Sequence, residues 1–328
     1  MQEESLPEDV TTALTDAFPE REVEEVLFAG PSWNDLNSTV RVSFTDGESV
    51  FLKVAADGDG SRIRRECAVI GYVGARCEVI VPAILASEIS KEPPYLVTAP
   101  MRERSLAPQW SELTRAEQAT VLRQIGTALA DVNSQEFEQH GHIVAGDAEE
   151  LSLDTESWTT ILIKRIGMTR ELASSTRFEH YFDEVIEVVE ANQERLDPAP
   201  ATLVHGDPAM PNIFCSETTL GFIDWEIAHV GDPARELHRA RSQLLESRGL
   251  GDNEQLVTAL REGYQQRAGS LPTGLHDRVP IYDAVRFLGT IGFFDKVVES
   301  SDESAEEVAM RVEAEMNNRL NAVQQIGY

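Results

Sequence analysis

The spacing of apolar positions changes period as the chain advances. Residues 8–18 carry them at helical intervals and predict a short amphipathic helix. Glu25 to Ala29 reads as a first strand, and residues 30–39, GPSWNDLNST, read as a polar turn. Val40, Val42 and Phe44 then alternate with polar residues, and Asp46-Gly47 is a hairpin signal before a return strand at 50–55, VFLKVA. A two-residue loop there sets Val42 opposite Phe51 and Val40 opposite Lys53, so that Lys53 shares a face with Val40, Val42 and Phe51. Residues 61–76 predict a helix carrying Glu66. Pro82 and Pro93-Pro94 bound short extended pieces, and Tyr95-Leu96-Val97 runs into Thr98-Ala99-Pro100-Met101, read as a hinge.

Beyond the hinge the pattern turns helical. Thr114 and Glu117 make a capping-box signature, followed by Leu122, Ile125, Leu129 and Val132 at helical spacing. Residues 140–156 are polar and rich in Gly and Asp, and read as a loop. Trp158 opens another helical stretch, and Phe178, Tyr181, Phe182, Val185, Ile186 and Val189 mark one buried helix face. Asp232-Pro233 reads as an N-cap and first helical position, with Leu237, Ala240, Leu244 and Leu245 facing inward and Gly249 and Gly251 ending the helix. Two further helices are expected at about 254–268 and 281–299. Ser304 with Glu307 caps a last one, apolar at Val308, Val312, Met316, Leu320 and Val323.

One stretch carries the chemistry: residues 203–226, LVHGDPAMPNIFCSETTLGFIDWE. Leu203-Val204 reads as a strand into His205-Gly206-Asp207, and Ile213-Phe214 and Gly221-Phe222-Ile223 read as two short strands around a turn, the second delivering Asp224. Asp207, Asn212 and Asp224 then stand in one loop and at strand ends. Phosphoryl transfer needs such oxygens, one to orient the acceptor hydroxyl and others to hold Mg²⁺ on phosphates. Singly, Asp207 could be a turn residue, Asn212 a turn cap and Asp224 a strand end; together these readings leave the spacing unexplained.

The H-G-D-x4-N and I-D-W-E segments resemble the aminoglycoside phosphotransferase/choline kinase superfamily, which is related to the protein kinases. The resemblance runs over about residues 25–245. It implies a bilobal, protein-kinase-like α+β fold: a β-rich nucleotide-binding N-lobe at 1–98 with one main helix, and a mostly helical C-lobe at 99–328. It implies an ATP-dependent kinase transferring the γ-phosphate of MgATP to a hydroxyl of a small molecule, with Asp207 as base or orienter and Asn212 and Asp224 on Mg²⁺. Lys53 would grip the nucleotide with Glu66 as its partner, Val40 would line the base, and backbone at Ala99 and Met101 would bond the adenine. Gly30, Ser32 and Asn37 are the candidates for the phosphate loop, although the family's G-x-S-N-type turn is lengthened here. Asp232 would brace the catalytic loop as well as cap its helix. The acceptor pocket is implied among C-lobe helices near Trp158 and residues 177–186. A catalytically silent nucleotide-binding regulator of the same fold is the alternative, weighed down by retention of every metal and base position. A protein kinase is disfavoured, because no H-R-D, D-F-G or A-P-E segment is present.

Rival readings attend the single residues. Lys53 could be an ordinary strand lysine and Glu66 could belong to a solvated helix face. His205 reads as a structural loop histidine.

Charge alters the setting. The 328 residues hold 57 acidic and 28 basic side chains, a net charge of −29, and only Lys53, Lys91, Lys164 and Lys296 are lysine. Such acidity resembles proteins of extreme halophiles, in which molar salt screens self-repulsion. Recruitment of a cationic substrate is the other explanation. No basic stripe favours nucleic acid, no apolar run approaches the ~20 residues of a membrane span, and the acidic N-terminus lacks an apolar signal core. Cys67, Cys77 and Cys215 form no paired framework, so a reducing, cytoplasmic setting is expected. The acceptor's identity and the oligomeric state are not legible.

Overall fold

The computed structural model describes residues 6–29, 37–250 and 253–327. Helix α1 (Glu8–Ala17) precedes a sheet built from β1 (Val23–Phe28), β2 (Asn37–Phe44), β3 (Ser49–Ala55), β4 (Ile84–Glu88) and β5 (Tyr95–Thr98), with helix α2 (Ser61–Arg76) between β3 and β4. The strands are antiparallel in the order β1-β2-β3-β5-β4. Val40, Val42, Val50, Leu52 and Val54 form a buried layer with Val10, Ala13 and Leu14 of α1.

The hairpin register differs from expectation by one residue. Val42 pairs with Val50, Val40 with Leu52, and Thr39 with Lys53. The loop is three residues, Thr45-Asp46-Gly47, closed by Phe44 N–H on the Glu48 carbonyl and Gly47 N–H on the Phe44 carbonyl, both 2.9 Å. Gly47 takes the left-handed conformation (φ +87°) that such a loop requires. Burial decides the register. Each buried valine or leucine contributes about 1.5–3 kcal/mol, and a one-residue slip would turn that layer outward, a loss larger than any turn preference. Lys53 consequently faces away from Val40 and Val42, beside Thr39 and Phe51. The strand also starts at Asn37, inside the stretch expected to be a turn; Gly30 and Ser32 lie outside the described residues.

The second lobe begins with β6 (Arg104–Ser105), α3 (Leu106–Gln109) and α4 (Arg115–Asn133), the last entered through the Thr114–Glu117 capping box. Residues 140–156 are a β-hairpin and not a loop: β7 (Gly141–Gly146) pairs with β8 (Leu151–Thr155) and lies against α2. The exposed positions of β8 are the polar Ser152, Asp154 and Thr155, and glycines bound β7, which hid the strands. Helices α5 (Trp158–Glu171), α6 (Glu179–Ala191) and α7 (Gln193–Leu196) follow, then β9 (Thr202–Val204), β10 (Ile213–Cys215), β11 (Leu220–Phe222) and β12 (His229–Gly231). Sheets β11-β10-β6 and β8-β7-β12-β9 carry the loops between these strands. Helix α8 (Pro233–Leu244) starts at the expected Asp232 cap, with Ala234 N–H on its carboxylate at 2.9 Å. It ends before Gly249, and Gly251 lies outside the described residues. The chain closes with α9 (Glu254–Ala268), α10 (Leu275–Gly292), α11 (Phe294–Glu299) and α12 (Ala305–Gln324), the last on the Ser304–Glu307 capping box. Helix α10 begins six residues earlier than expected and carries Pro280 inside its first turns. No helix among the described residues is long and apolar enough to cross a membrane.

Candidate active site

Strand β3 and helix α2 meet the segment after β11 at Lys53. Its ammonium stands 2.6 Å from Asp224 Oδ1, 2.7 Å from Glu66 Oε2 and 2.9 Å from Glu226 Oε2. Glu66 sits in the second turn of α2 and is buried, so the solvated-face reading is excluded. Burial works against the charge on Lys53, but the three carboxylates outweigh it and hold the ammonium well above the ordinary lysine value. Burial likewise pushes Glu66 up, opposed by Lys53. Glu226 experiences the same burial, yet Lys53 and Arg62 outweigh it and keep its carboxyl below the usual range.

Glu226 ties the lobes together. Its Oε2 accepts from Asn37 Nδ2 at 2.6 Å, its Oε1 faces Arg62 at 3.1 Å, and its backbone carbonyl accepts from Arg65 at 2.8 Å. Asn37, expected near phosphates, is thus a strand residue engaged with this carboxylate. The sequence motif contained Glu226 without giving it a role; its place directly after Asp224-Trp225 was the available signal.

Strand β9 delivers the second half of the site. His205 is fully buried, accepts from Asp207 N–H through Nδ1 at 3.1 Å and sits with Nε2 3.0 Å from the Ile223 carbonyl. Those partners require the neutral, Nε2-protonated ring. Burial lowers its pKa in the same direction. Gly206 adopts φ +86°, and its N–H is received by both oxygens of Glu236, at 3.0 and 3.3 Å. A side chain at Gly206 would meet the Ile227 carbonyl at 2.8 Å. Asp207 then projects its carboxylate to Asn212 Nδ2 at 3.1 Å, Arg239 at 3.0 Å and Gln243. Burial raises the Asp207 pKa, but Arg239 and Gln243 overcome it and leave the carboxyl below its ordinary value.

The β10–β11 hairpin links the two halves. Ile213 pairs with Phe222, and Ile223 N–H donates to the Asn212 carbonyl at 3.0 Å. Trp225, fully buried, anchors the exit of the hairpin with its indole N–H on the Phe222 carbonyl. Between them Asp224 takes φ +66°, the one non-glycine residue at positive φ among the described residues. That conformation costs about 1–2 kcal/mol for most residues and is best tolerated by Asp or Asn.

The donor set suits a hard divalent cation. Oxygens of Glu66, Asp224 and Glu226 all lie within 4.8 Å of one another, and the two cations paired with them, Lys53 and Arg62, are fewer than the three carboxylates. Asn212 directs its amide nitrogen to Asp207, which leaves its side-chain carbonyl oxygen as the atom for a metal.

Several expected placements change. Val40 is fully buried against α1, on the sheet face opposite Lys53. Ala99 N–H is taken by the Ala83 carbonyl at 2.9 Å, and Met101 packs its methyl group toward Gly221. Asp232 does not bond the catalytic loop. It receives Arg278 at 2.6 Å and the Tyr282 hydroxyl, which itself accepts from Trp158 Nε1 at 2.9 Å. The loop's brace is Glu236, one turn later on α8. Trp158, Phe178, Tyr181, Phe182 and Val185 are buried in the core. Glu236, Arg239 and Gln243 were missed because acidic and basic residues on a helix ordinarily read as a solvated face.

A family model described as the phosphotransferase enzyme family matches residues 31–282. Comparison with curated proteins finds no match. Among solved structures, a putative fructosamine-3-kinase from Thermobifida fusca YX-ER1 is 18% identical, with a TM-score of 0.63 over 96% of this chain and 98% of that one. Aminoglycoside phosphotransferase APH(4)-Ia is 18% identical, with a TM-score of 0.59 over 98% and 99%. A thermostable mutant of it, in ternary complex with AMP-PNP and hygromycin B, gives 17% and 0.59 over 98% and 99%. These likenesses establish the bilobal kinase-like fold.

Proposed function

The chain belongs to the phosphotransferase enzyme family, and from that premise we propose that it is an ATP-dependent kinase acting on a hydroxyl group of a small molecule. The observation that carries this reading is the convergence of two charge systems, Lys53 among three carboxylates and Asp207 held ionised by Arg239, Gln243 and Asn212. The solved complex with AMP-PNP and hygromycin B supports nucleotide and small-molecule binding on this fold.

Lys53 places its charge on the nucleotide phosphates, and Glu66 holds it there. The Ala99 carbonyl and the Met101 N–H supply the adenine contacts, since Ala99 N–H is already engaged. Asp207 orients the acceptor O–H. As the acceptor oxygen bonds to the γ-phosphorus, the bond from that phosphorus to the β-phosphate oxygen breaks. ADP leaves and the hydroxyl proton passes to Asp207. A carboxyl with a depressed pKa is a weak base, so Asp207 serves chiefly by position in a loose transition state. Asn212 and Asp224 would hold Mg²⁺, which neutralises phosphate charge when bound.

ADP release measured over a panel of hydroxyl compounds in concentrated potassium chloride tests this. Turnover that Asp207→Asn suppresses is the expected result. Nucleotide binding without turnover of any compound would instead favour a silent regulator.

A further inference from the structure

Arg235 and Arg239 stand four residues apart on α8, so their side chains share one face. Arg239 reaches Asp207 Oδ1 at 3.0 Å, which sets this face beside the carboxylate assigned to the acceptor. Arg165 arrives from α5, with Nη2 2.9 Å from His229 Nδ1. The Arg235 guanidinium lies 6.0 Å from the Trp158 ring centroid. Neither Arg165 nor Arg235 forms an ion pair among the described residues, and the buried Nε atoms of Arg165 and Arg239 have no hydrogen-bond partner.

The carboxylates nearby are committed. Glu236 spends both oxygens on Gly206 N–H, Asp207 serves Asn212, Arg239 and Gln243, and Asp232 is saturated by Arg278 and Tyr282. Burial, then repulsion from Arg235, Arg239 and Arg65, pulls Arg165 well below the arginine range, and burial and Arg239 lower Arg235 to about 10; the Glu236 carboxylate opposes both shifts without cancelling either. A guanidinium does not release its proton in a protein, so these shifts express positive charge without enough counter-charge. The Trp158 ring and the His229 nitrogen give the Arg235 and Arg165 guanidinia uncharged partners, which supply no counter-charge. They do not account for gathering three guanidinia at one place in a chain with 57 acidic and 28 basic residues.

We propose that Arg165, Arg235 and Arg239 form an anion subsite that holds a carboxylate or phosphate group of the acceptor beside Asp207. The guanidinium fork matches both groups, and either would supply the missing negative charge. This names the substrate class within the phosphotransferase reading and rests on it. It runs against the simplest inference from the chain's acidity, a cationic acceptor.

The probes are four three-carbon compounds that differ in charge: glycerol, D-glycerate, glycerol 3-phosphate and 2-amino-1,3-propanediol. Their affinities for the MgADP-loaded protein are measured by equilibrium dialysis at fixed high ionic strength. D-glycerate or glycerol 3-phosphate should bind at least ten-fold more tightly than glycerol or the amine, and their order separates carboxylate from phosphate. Arg165→Met and Arg235→Met should each erase most of that preference, Arg235→Lys should retain part of it, and MgADP affinity should stay within two-fold. Tightest binding of the amine, equal affinity or no binding for all four, or a preference that survives both methionine variants would overturn the subsite. So would a parallel loss of MgADP affinity, which would place the arginines on the nucleotide. Because dialysis requires no turnover, the outcome is separate from the kinase reading. An anion preference without ADP release sinks the kinase alone, and ADP release with the amine sinks the subsite alone.

Discussion

Lys53 and Asp224 stand 171 positions apart in the chain and 2.6 Å apart in space, ammonium to carboxylate. With Glu66 and Glu226 on the same ammonium, Lys53 is both the candidate phosphate ligand and the counter-ion for three acids. Lys53→Met should therefore have two effects. Turnover should fall at least a hundred-fold. Stability should fall toward the low end of the ~3–5 kcal/mol typical of a broken buried pair, since Asp224 is partly solvated. Addition of Mg²⁺ should restore part of the melting temperature by supplying the lost positive charge. A melting temperature indifferent to Mg²⁺ would count against the cation site.

Asp207→Asn separates chemistry from binding. The amide keeps the shape but loses the charge that orients the acceptor hydroxyl and cannot take its proton, so kcat should drop about 10²–10⁴-fold. MgATP affinity measured by calorimetry should hardly change. Loss of both together would put Asp207 in the metal site.

Asp224 combines a backbone demand with a side-chain one. Asn tolerates the observed φ of +66° and Ala does not. Asp224→Asn should abolish the Mg²⁺ dependence of ATP affinity at near-native stability, whereas Asp224→Ala should lose it and about 1 kcal/mol of stability besides. Denaturant midpoints and an Mg²⁺ titration check both halves. Equal stability of the two variants would show that the backbone demand is absent.

Acid should destabilise the fold early. Burial lowers the pKa of His140, His142, His205 and His229, so the native protein binds those protons less tightly than the unfolded chain. Their stabilisation is complete above the unfolded histidine value, about 6.5, and is lost as pH falls below it. Glu66, raised by burial, acts in the opposite sense, one group against four. Unfolding free energy from denaturant titrations should decline from pH 7.5 to 5.5. A flat or rising profile would contradict the neutral His205 ring.

The net charge of −29 predicts salt dependence. At 0.1 M salt the screening length is about 10 Å, and at 1 M about 3 Å, so carboxylate repulsion relaxes only at high salt. The melting temperature should rise between 0.1 M and 2 M potassium chloride. If it does not, adaptation to salt is no explanation of the acidity.

What the chain disclosed in advance was whatever local chemistry determines. The two capping boxes, the Asp232-Pro233 helix start and the 61–76 helix all depend on residues within a few positions of one another. The hairpin register depends on which side of the sheet α1 covers, a long-range fact that the Asp46-Gly47 turn signal does not contain, and so Lys53 lies on the face opposite Val40. The 140–156 hairpin is held by β12 and α2, far away in sequence. The charged partners Glu226, Glu236 and Arg239 owe their roles to burial, which residue type alone does not reveal. Around Asp207, Asn212 and Asp224 the short strands β9, β10 and β11 fall where the apolar runs place them, because each run is itself local.

The threefold carboxylate grip on Lys53 has a consequence for the order of events. A free nucleoside triphosphate is itself a polyanion, and at the proposed site it would meet an ammonium already claimed by protein carboxylates that repel it. On the proposed reading, a nucleotide whose charge is partly offset by a bound cation would meet a lower barrier and would take over Lys53 while those carboxylates turn to the cation. The cleft would thus sort nucleotides by ionic state before shape is tested. The ionic composition of the medium would then set the rate of entry as well as the stability of the fold.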